Sequence, residues 1–316
     1  MAFILVQITF LEIIKYRSKK KSFFFFVCLV VSHAALSCDV CGCGAFNSAQ
    51  GLGTLAQGNR TSIGLNYQYR LYKSQHPKLF GEGIEHSTDY FQRLDALGQV
   101  RVSKRWQLQL SVPITFNKHV ADDTTSQKNG LSDPTLMVNF FLFDRQDSLQ
   151  THLFRWIVGV GAKSPLGKFT HPNDIDLYLY PGTGTFDAVF QNSIFFQKKR
   201  WSLLQTAQYI LRGENKYKYI PGSLFSISLF GQYKFRTLGI YAGTQYSWSG
   251  VDYLNRKAIP GSPTQGRILA GIIGASFQFN SWVIQGNIHI PLTQNLGDGN
   301  SNQKTACSIS LNYFFN

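Results

Sequence analysis

Charged residues are scarce in this sequence. They make up 15% of its 316 residues, whereas soluble domains carry about 25% charge. Five cysteines are too few for a disulfide scaffold, and 15% aromatic residues exclude a disordered chain. Beyond the N-terminal region, no run approaches the roughly 20 consecutive apolar residues of a membrane-spanning helix. A polytopic helical membrane protein is therefore excluded, and the glycine- and aromatic-rich composition favours a β-barrel.

The N-terminal region has the pattern of a secretory signal peptide. Basic residues between Lys15 and Lys21 precede a mostly apolar run at residues 23–36, which ends in small residues. These are the three parts of a signal peptide. We predict a signal peptide at residues 1–37, a periplasmic cysteine- and glycine-rich segment or partial plug at residues 38–59, and a barrel at residues 60–316.

From about residue 60 onward, apolar residues recur at every second position, which is typical of β-strands. In one segment Trp106, Leu108 and Leu110 alternate with polar residues, and the alternation continues to Phe116. Segments of about 10–16 residues are long enough for tilted transmembrane strands. Twelve such segments are centred near residues 66, 96, 111, 138, 157, 190, 206, 228, 243, 272, 286 and 310.

The connections between these segments alternate strictly between short and long. Short turns are predicted near residues 103–105, 145–150, 198–200, 236–237 and 280–281, and long loops at about 73–87, 118–130, 164–183, 212–222, 249–265 and 291–303. Bacterial outer-membrane barrels have an even number of strands, short periplasmic turns and long extracellular loops. The predicted fold class is all-β: a transmembrane antiparallel β-barrel of 12 strands in the outer membrane, with both termini in the periplasm.

Three short motifs resemble those of a known family. They are G-L-S-D at residues 130–133 followed by Leu136, S-P-L-G at residues 164–167, and P-G-T-G at residues 181–184 followed by Asp187. In this order and spacing they are similar to the outer-membrane transporters of the MetA-pathway phenol-degradation type. The resemblance implies an exported twelve-stranded barrel that transports small, often hydrophobic or aromatic molecules.

Gly182 and Gly184 stand where a long loop re-enters the predicted barrel wall. Glycine permits positive φ or close backbone approach at such a point. Asp187 is expected to face the lumen at the extracellular mouth, either as part of the turn and strand start or in contact with substrate.

If the polar register faces inward, ten residues are candidates for lining the lumen: Arg70, Arg93, Asp95, Arg101, Arg155, Lys163, Asp187, Arg212, Lys234 and His289. Seven of them are Arg or Lys, and two are Asp. A low-dielectric wall lined by one sign of charge favours ions of the opposite sign. One hypothesis is therefore a path that prefers anions. The alternative is an internal network of arginines and carboxylates that fills a narrow lumen.

Cys38, Cys41 and Cys43 form a C-x-x-C-x-C motif at the predicted mature N-terminus. Three thiols this close can share a soft metal such as copper or zinc. A disulfide and lipidation of Cys38 are the alternatives left open. The C-D-x-C-G-C sequence also resembles the N-terminal heads of barrel proteins from Bacteroidetes-type bacteria.

Enzymatic activity is not expected. Outer-membrane phospholipases need a His and a Ser two residues apart, and no H-x-S sequence occurs in this chain. Nucleic acid is not an expected partner, since no binding motif accompanies the net charge of +14. The leading hypothesis is passive or facilitated diffusion of small hydrophobic, aromatic or anionic molecules. The alternative is a metal-linked (copper or zinc) protein that the barrel anchors. Expected partners are outer-membrane lipid, a small-molecule substrate and a periplasmic partner at the N-terminal segment.

Overall fold

The computed structural model describes residues 60–77, 84–121, 124–147, 152–169, 177–259 and 265–315. The predicted signal peptide and the segment at residues 38–59 lie outside these ranges. Within them, no helix is long and apolar enough to cross a membrane.

Strands dominate the described part of the chain. They are β1 (Ser62–Pro77), β2 (Ile84–Arg101), β3 (Trp106–Ala121), β4 (Thr125–Leu131), β5 (Thr135–Gln146), β6 (His152–Lys163), β7 (Asp187–Lys198), β8 (Trp201–Leu211), β9 (Tyr219–Ile220), β10 (Leu224–Phe235), β11 (Leu238–Ser249), β12 (Asp252–Leu254), β13 (Lys257–Ile259), β14 (Gly266–Phe279), β15 (Trp282–Leu296), β16 (Ser301–Gln303) and β17 (Ala306–Phe314). Two short 3₁₀ helices lie at Leu177–Leu179 and Gly297–Gly299.

Twelve of these strands form a closed antiparallel barrel. Their order around the wall is β1, β2, β3, β5, β6, β7, β8, β10, β11, β14, β15 and β17. The last strand returns to the first, with Leu65 opposite Leu311 and Tyr67 opposite Ile309. Closure pairs the backbone groups that an open sheet leaves free at its edges. The all-β prediction and the positions of the twelve strands are confirmed.

The outer wall is apolar because side chains alternate between the two faces of each strand. Leu65, Leu108 and Ile284 are exposed on it. Three tryptophans each open a strand directly after a short turn and pack on an aromatic ring of a neighbouring strand. The ring centroids lie 4.8 Å apart for Trp106 and Phe140, 4.7 Å for Trp201 and Tyr233, and 4.8 Å for Trp282 and Tyr313. This aromatic belt marks one membrane interface, at the end with short turns, which we name the turn end. The opposite end is the loop end.

The structure extends strands into three of the predicted loops. β1 and β2 occupy most of residues 73–87, β4 pairs with β3 within residues 118–130, and β15 and β16 enter residues 291–303. The prediction of loops there was wrong because the hydrogen-bonded ladder continues beyond the apolar band. Polar residues predominate on both faces in that part of the barrel, so the apolar alternation that predicts a strand is lost. Short strands β9, β12 and β13 form a separate sheet at the loop end.

Candidate functional site

All ten residues predicted to line the lumen lie on the inward-facing register. His289 stands opposite the buried Ile272, and Arg155 stands opposite Asp144. Lys234 donates to the side-chain oxygen of Gln278 at 2.8 Å. The buried members of the set are Arg93, Asp95, Arg155, Lys163, Asp187 and Arg212.

One buried ion pair lies on the inner face of β2. Arg93 Nη2 is 2.7 Å from Asp95 Oδ1, and Arg93 Nε also donates to this carboxylate at 2.8 Å. Asn66 and Ser111, on the two neighbouring strands, donate to the same carboxylate at 3.4 and 3.2 Å. A buried charge needs such compensation because its hydration has been lost.

A second group of charges lies near the turn end. Asp144 accepts a hydrogen bond from Arg155 Nε at 2.8 Å and one from Arg101 Nη2 at 3.0 Å. The guanidinium of Arg101 also lies 3.7 Å from the centre of the Phe141 ring. One carboxylate is therefore shared by two of the predicted lumen arginines.

Further acidic residues face inward that are not among the predicted lumen residues, including Asp89, Asp133 and Asp144. Asp144 was missed because a bulge interrupts β5 between Phe141 and Phe143. Simple alternation from the inward Met137 would point Asp144 toward the lipid, whereas the extra residue turns it inward. Acidic residues thus share the lumen with the basic ones, and much of the positive charge is neutralised locally.

The three family-like motifs meet around Lys163 at the loop end. Lys163 Nζ lies 2.6 Å from Asp187 Oδ2, 3.2 Å from Asp133 Oδ2 and 3.0 Å from the Thr183 hydroxyl. Asp133 also accepts hydrogen bonds from the backbone N–H groups of Gly167 and Thr183, each at 2.8 Å. We name Asp133, Lys163, Thr183 and Asp187 the latch, because they tie two loops to the top of the barrel wall.

Glycine is required where these loops touch. A Cβ atom on Gly182 would lie 2.7 Å from the Gly167 backbone and 2.7 Å from the Asp133 carboxylate. Gly184 has a φ of 67°, a conformation that glycine adopts without steric cost. The predicted close approach and positive φ are both present, and the motif is built for loop packing.

Residues 177–180, which we name the mouth segment, are folded against the inner wall at the loop end. The carbonyl of Leu179 accepts a hydrogen bond from Asn117 Nδ2 at 2.8 Å, and the Leu179 side chain is fully buried. The Tyr178 hydroxyl lies 3.1 Å from His119 Nδ1, which is 2.5 Å from Asp89 Oδ1. The segment therefore narrows the lumen at the loop end, and no pattern in the sequence indicates it.

Part of the inner wall is apolar. Met137, Val189, Ile210 and Leu224 form one buried cluster on the loop-end half of β5, β7, β8 and β10. A second cluster lies on β6, β7, β8, β10, β11 and β14 and extends toward the turn end. It comprises Leu153, Phe195, Leu204, Phe230, Tyr241 and Ile272. We name the two clusters together the apolar track. The polar side chains of β1, β2 and β3 lie across the lumen from it.

Among the described residues, no group of three or more His, Cys, Asp or Glu side chains is placed to hold a metal ion. Cys38, Cys41 and Cys43 lie outside the described ranges. Cys307 is exposed on the outer wall, opposite Tyr69.

No family model and no curated protein matches this sequence. Among solved structures, the COG4313 outer membrane channel from Pseudomonas putida F1 matches over 81% of this chain and 96% of its own, with 14% identity and a TM-score of 0.59. The Pseudomonas putida toluene transporter TodX matches over 83% and 91%, with 8% identity and a TM-score of 0.38. The CymD monoaromatic hydrocarbon channel matches over 87% and 95%, with 11% identity and a TM-score of 0.43.

The chain is an outer-membrane β-barrel. The closed twelve-stranded wall, its apolar outer face and the similarity in fold to an outer-membrane channel agree on this. The turn end therefore faces the periplasm and the loop end faces the exterior. The latch and the mouth segment lie at the extracellular entrance of the lumen.

Proposed function

We propose that this barrel lets small, partly apolar molecules such as monoaromatic compounds diffuse across the outer membrane. The apolar track supports this proposal, because it places aliphatic and aromatic side chains on the inner wall, where an apolar solute body can pack against them. Apolar pockets with a few placed polar groups are the usual form of small-molecule sites.

The polar side of the lumen completes such a site. Asn66, Arg93 and Ser111 surround Asp95, and Asn139 donates to Gln107 at 3.2 Å. A molecule with an apolar body and one hydroxyl group can contact both sides as it passes. This chemistry supports the finer proposal, drawn from the three motifs, of a transporter of the MetA-pathway phenol-degradation type.

The charge balance of the lumen bears on the second substrate class, anions. Because Asp95, Asp133, Asp144 and Asp187 are paired with basic side chains, we expect only a modest preference for anions. A reversal potential measured across a planar bilayer under a salt gradient reports this preference directly. A cation preference would contradict it.

The same recording tests the proposed substrate. Phenol added to the bath is expected to lower the ion current in proportion to its occupancy of the lumen. Arabinose at the same concentration is expected to leave the current nearly unchanged. If phenol and arabinose lower the current equally, the lumen does not recognise the apolar body of the solute.

The metal-linked alternative remains a separate proposal about Cys38, Cys41 and Cys43. It predicts that the Cys41→Ser/Cys43→Ser variant loses bound copper or zinc while its solute flux stays unchanged. The diffusion proposal does not depend on the result.

A further inference from the structure

We propose that the turn end binds the headgroups of anionic phospholipids through an arc of basic side chains. Seven exposed residues form this basic arc: Lys104, Arg105, Arg145, Lys198, Lys199, Arg200 and Arg236. They lie on four consecutive hairpins, β2–β3, β5–β6, β7–β8 and β10–β11.

Backbone contacts place these hairpins side by side. The carbonyl of Arg105 accepts a hydrogen bond from the Phe141 N–H of β5 at 2.9 Å. The carbonyl of Arg200 likewise accepts one from the Lys234 N–H of β10 at 2.9 Å. The basic side chains are thus held along one rim of a rigid wall rather than on independent loops.

The acidic residues described at this end do not neutralise the arc. Asp144 is held between Arg101 and Arg155 inside the lumen, and Asp147 lies 3.0 Å from His152. Clustered Lys and Arg side chains next to a membrane attract anionic lipid.

The position of the basic arc indicates that its ligand is a lipid. Arg105 directly precedes Trp106, and Arg200 directly precedes Trp201. Both tryptophans belong to the aromatic belt on the outer wall, and such belts lie at the level of the lipid headgroups. The charges therefore stand beside the phosphate layer of the periplasmic leaflet.

Tryptophan fluorescence can test this proposal. Of the five tryptophans, Trp106, Trp156, Trp201 and Trp282 lie on the turn-end half of the wall, so a Trp248→Phe background reports on that half alone. The folded chain is placed in vesicles that mix dibrominated phosphatidylglycerol with phosphatidylcholine, and in vesicles with the bromine on the other lipid. Quenching then gives the relative affinity for the two headgroups.

We expect phosphatidylglycerol to be preferred about threefold or more at low salt. The triple variant Lys104→Gln/Lys199→Gln/Arg236→Gln should bring the ratio close to one. Its matched control, Lys216→Gln/Lys257→Gln/Lys304→Gln, removes the same charge at the loop end and should keep the preference. Equal affinities in the unaltered chain, or equal losses in the two triple variants, would overturn the proposal.

Salt provides a readout that does not depend on the variants folding. At 1 M NaCl the Debye length falls to about 3 Å, so the preference should disappear in the Trp248→Phe chain. A preference that survives this salt concentration would overturn an electrostatic headgroup site.

Discussion

Lys163 lies between two buried carboxylates at the top of the barrel wall. Its side chain and those of Asp133 and Asp187 are at most 3% exposed, so none of the three charges is stabilised by bulk water. Removal of one partner from a buried ion pair leaves an uncompensated charge, which costs far more than the pair itself contributes.

The Lys163→Met variant is therefore expected to lower the free energy of unfolding by about 3–5 kcal/mol. Lys234→Met is the matched control, because Lys234 also faces the lumen but donates to the neutral Gln278. Guanidinium unfolding in detergent micelles measures both variants. Losses of equal size would show that the latch has no special energetic role.

A substitution in one of the turns is predicted to stabilise the barrel, whereas Lys163→Met is predicted to destabilise it. Lys199→Gly relieves a left-handed conformation and is expected to raise the free energy of unfolding by roughly 0.5–1 kcal/mol. Arg200 has no positive φ, so Arg200→Gly should gain nothing. Thermal unfolding in zwitterionic detergent compares the two. A destabilised Lys199→Gly variant would contradict the assigned backbone conformation.

At the level of secondary structure, the alternation of apolar and polar residues predicts the strands and the outer wall well. It predicts the apolar part of the inner surface poorly. The outward side chains contact lipid, so Leu108, Leu110 and their equivalents must be apolar. The strands can therefore be identified in the sequence. On β7 both faces are apolar around Ile194, Phe195 and Phe196. There the polar positions do not identify the inner face, so the sequence pattern does not predict the apolar track.

Contacts between residues far apart in the sequence are a second feature of the structure that a single sequence does not reveal. The latch joins Asp133 to Thr183, 50 residues away, and the mouth segment reaches Asn117 across 62 residues. The motifs at residues 130–133, 164–167 and 181–184 resemble a family in their order and spacing, yet nothing in that spacing shows that they meet. Their meeting depends on the order of strands around the closed barrel.

Asn117 anchors the mouth segment through a hydrogen bond to its backbone, which makes the position of the segment testable. Asn117→Ala removes the hydrogen bond to the Leu179 carbonyl and leaves that buried acceptor unpaired, at a cost of about 1–3 kcal/mol. We expect the segment to leave the wall more often and the single-channel conductance to rise. Asn129→Ala is the control, since Asn129 is exposed on the outer face of the neighbouring β4, opposite Phe116. Unchanged conductance in Asn117→Ala would mean that the segment does not limit the path.

At the level of the whole molecule, the barrel separates three environments. Its outer wall is apolar toward lipid, one side of its lumen carries paired charges and amides, and the other side carries the apolar track. In the proposed function, a partly apolar solute contacts both sides of this lumen as it crosses the outer membrane. Fold similarity alone does not establish such a function, so the inference rests on the inner surface.

The uptake of a labelled monoaromatic compound tests this account most directly. Cells that lack their own porins and express this barrel are given phenol or arabinose, and initial uptake rates are compared with those of cells without it. We expect a clear gain for phenol and little for arabinose. Phe230→Asn, within the apolar track, should lower phenol uptake about threefold or more. Phe314→Asn makes the same change at a buried site outside the track and should have little effect. Equal gains for both solutes, or equal losses in both variants, would contradict an apolar diffusion path.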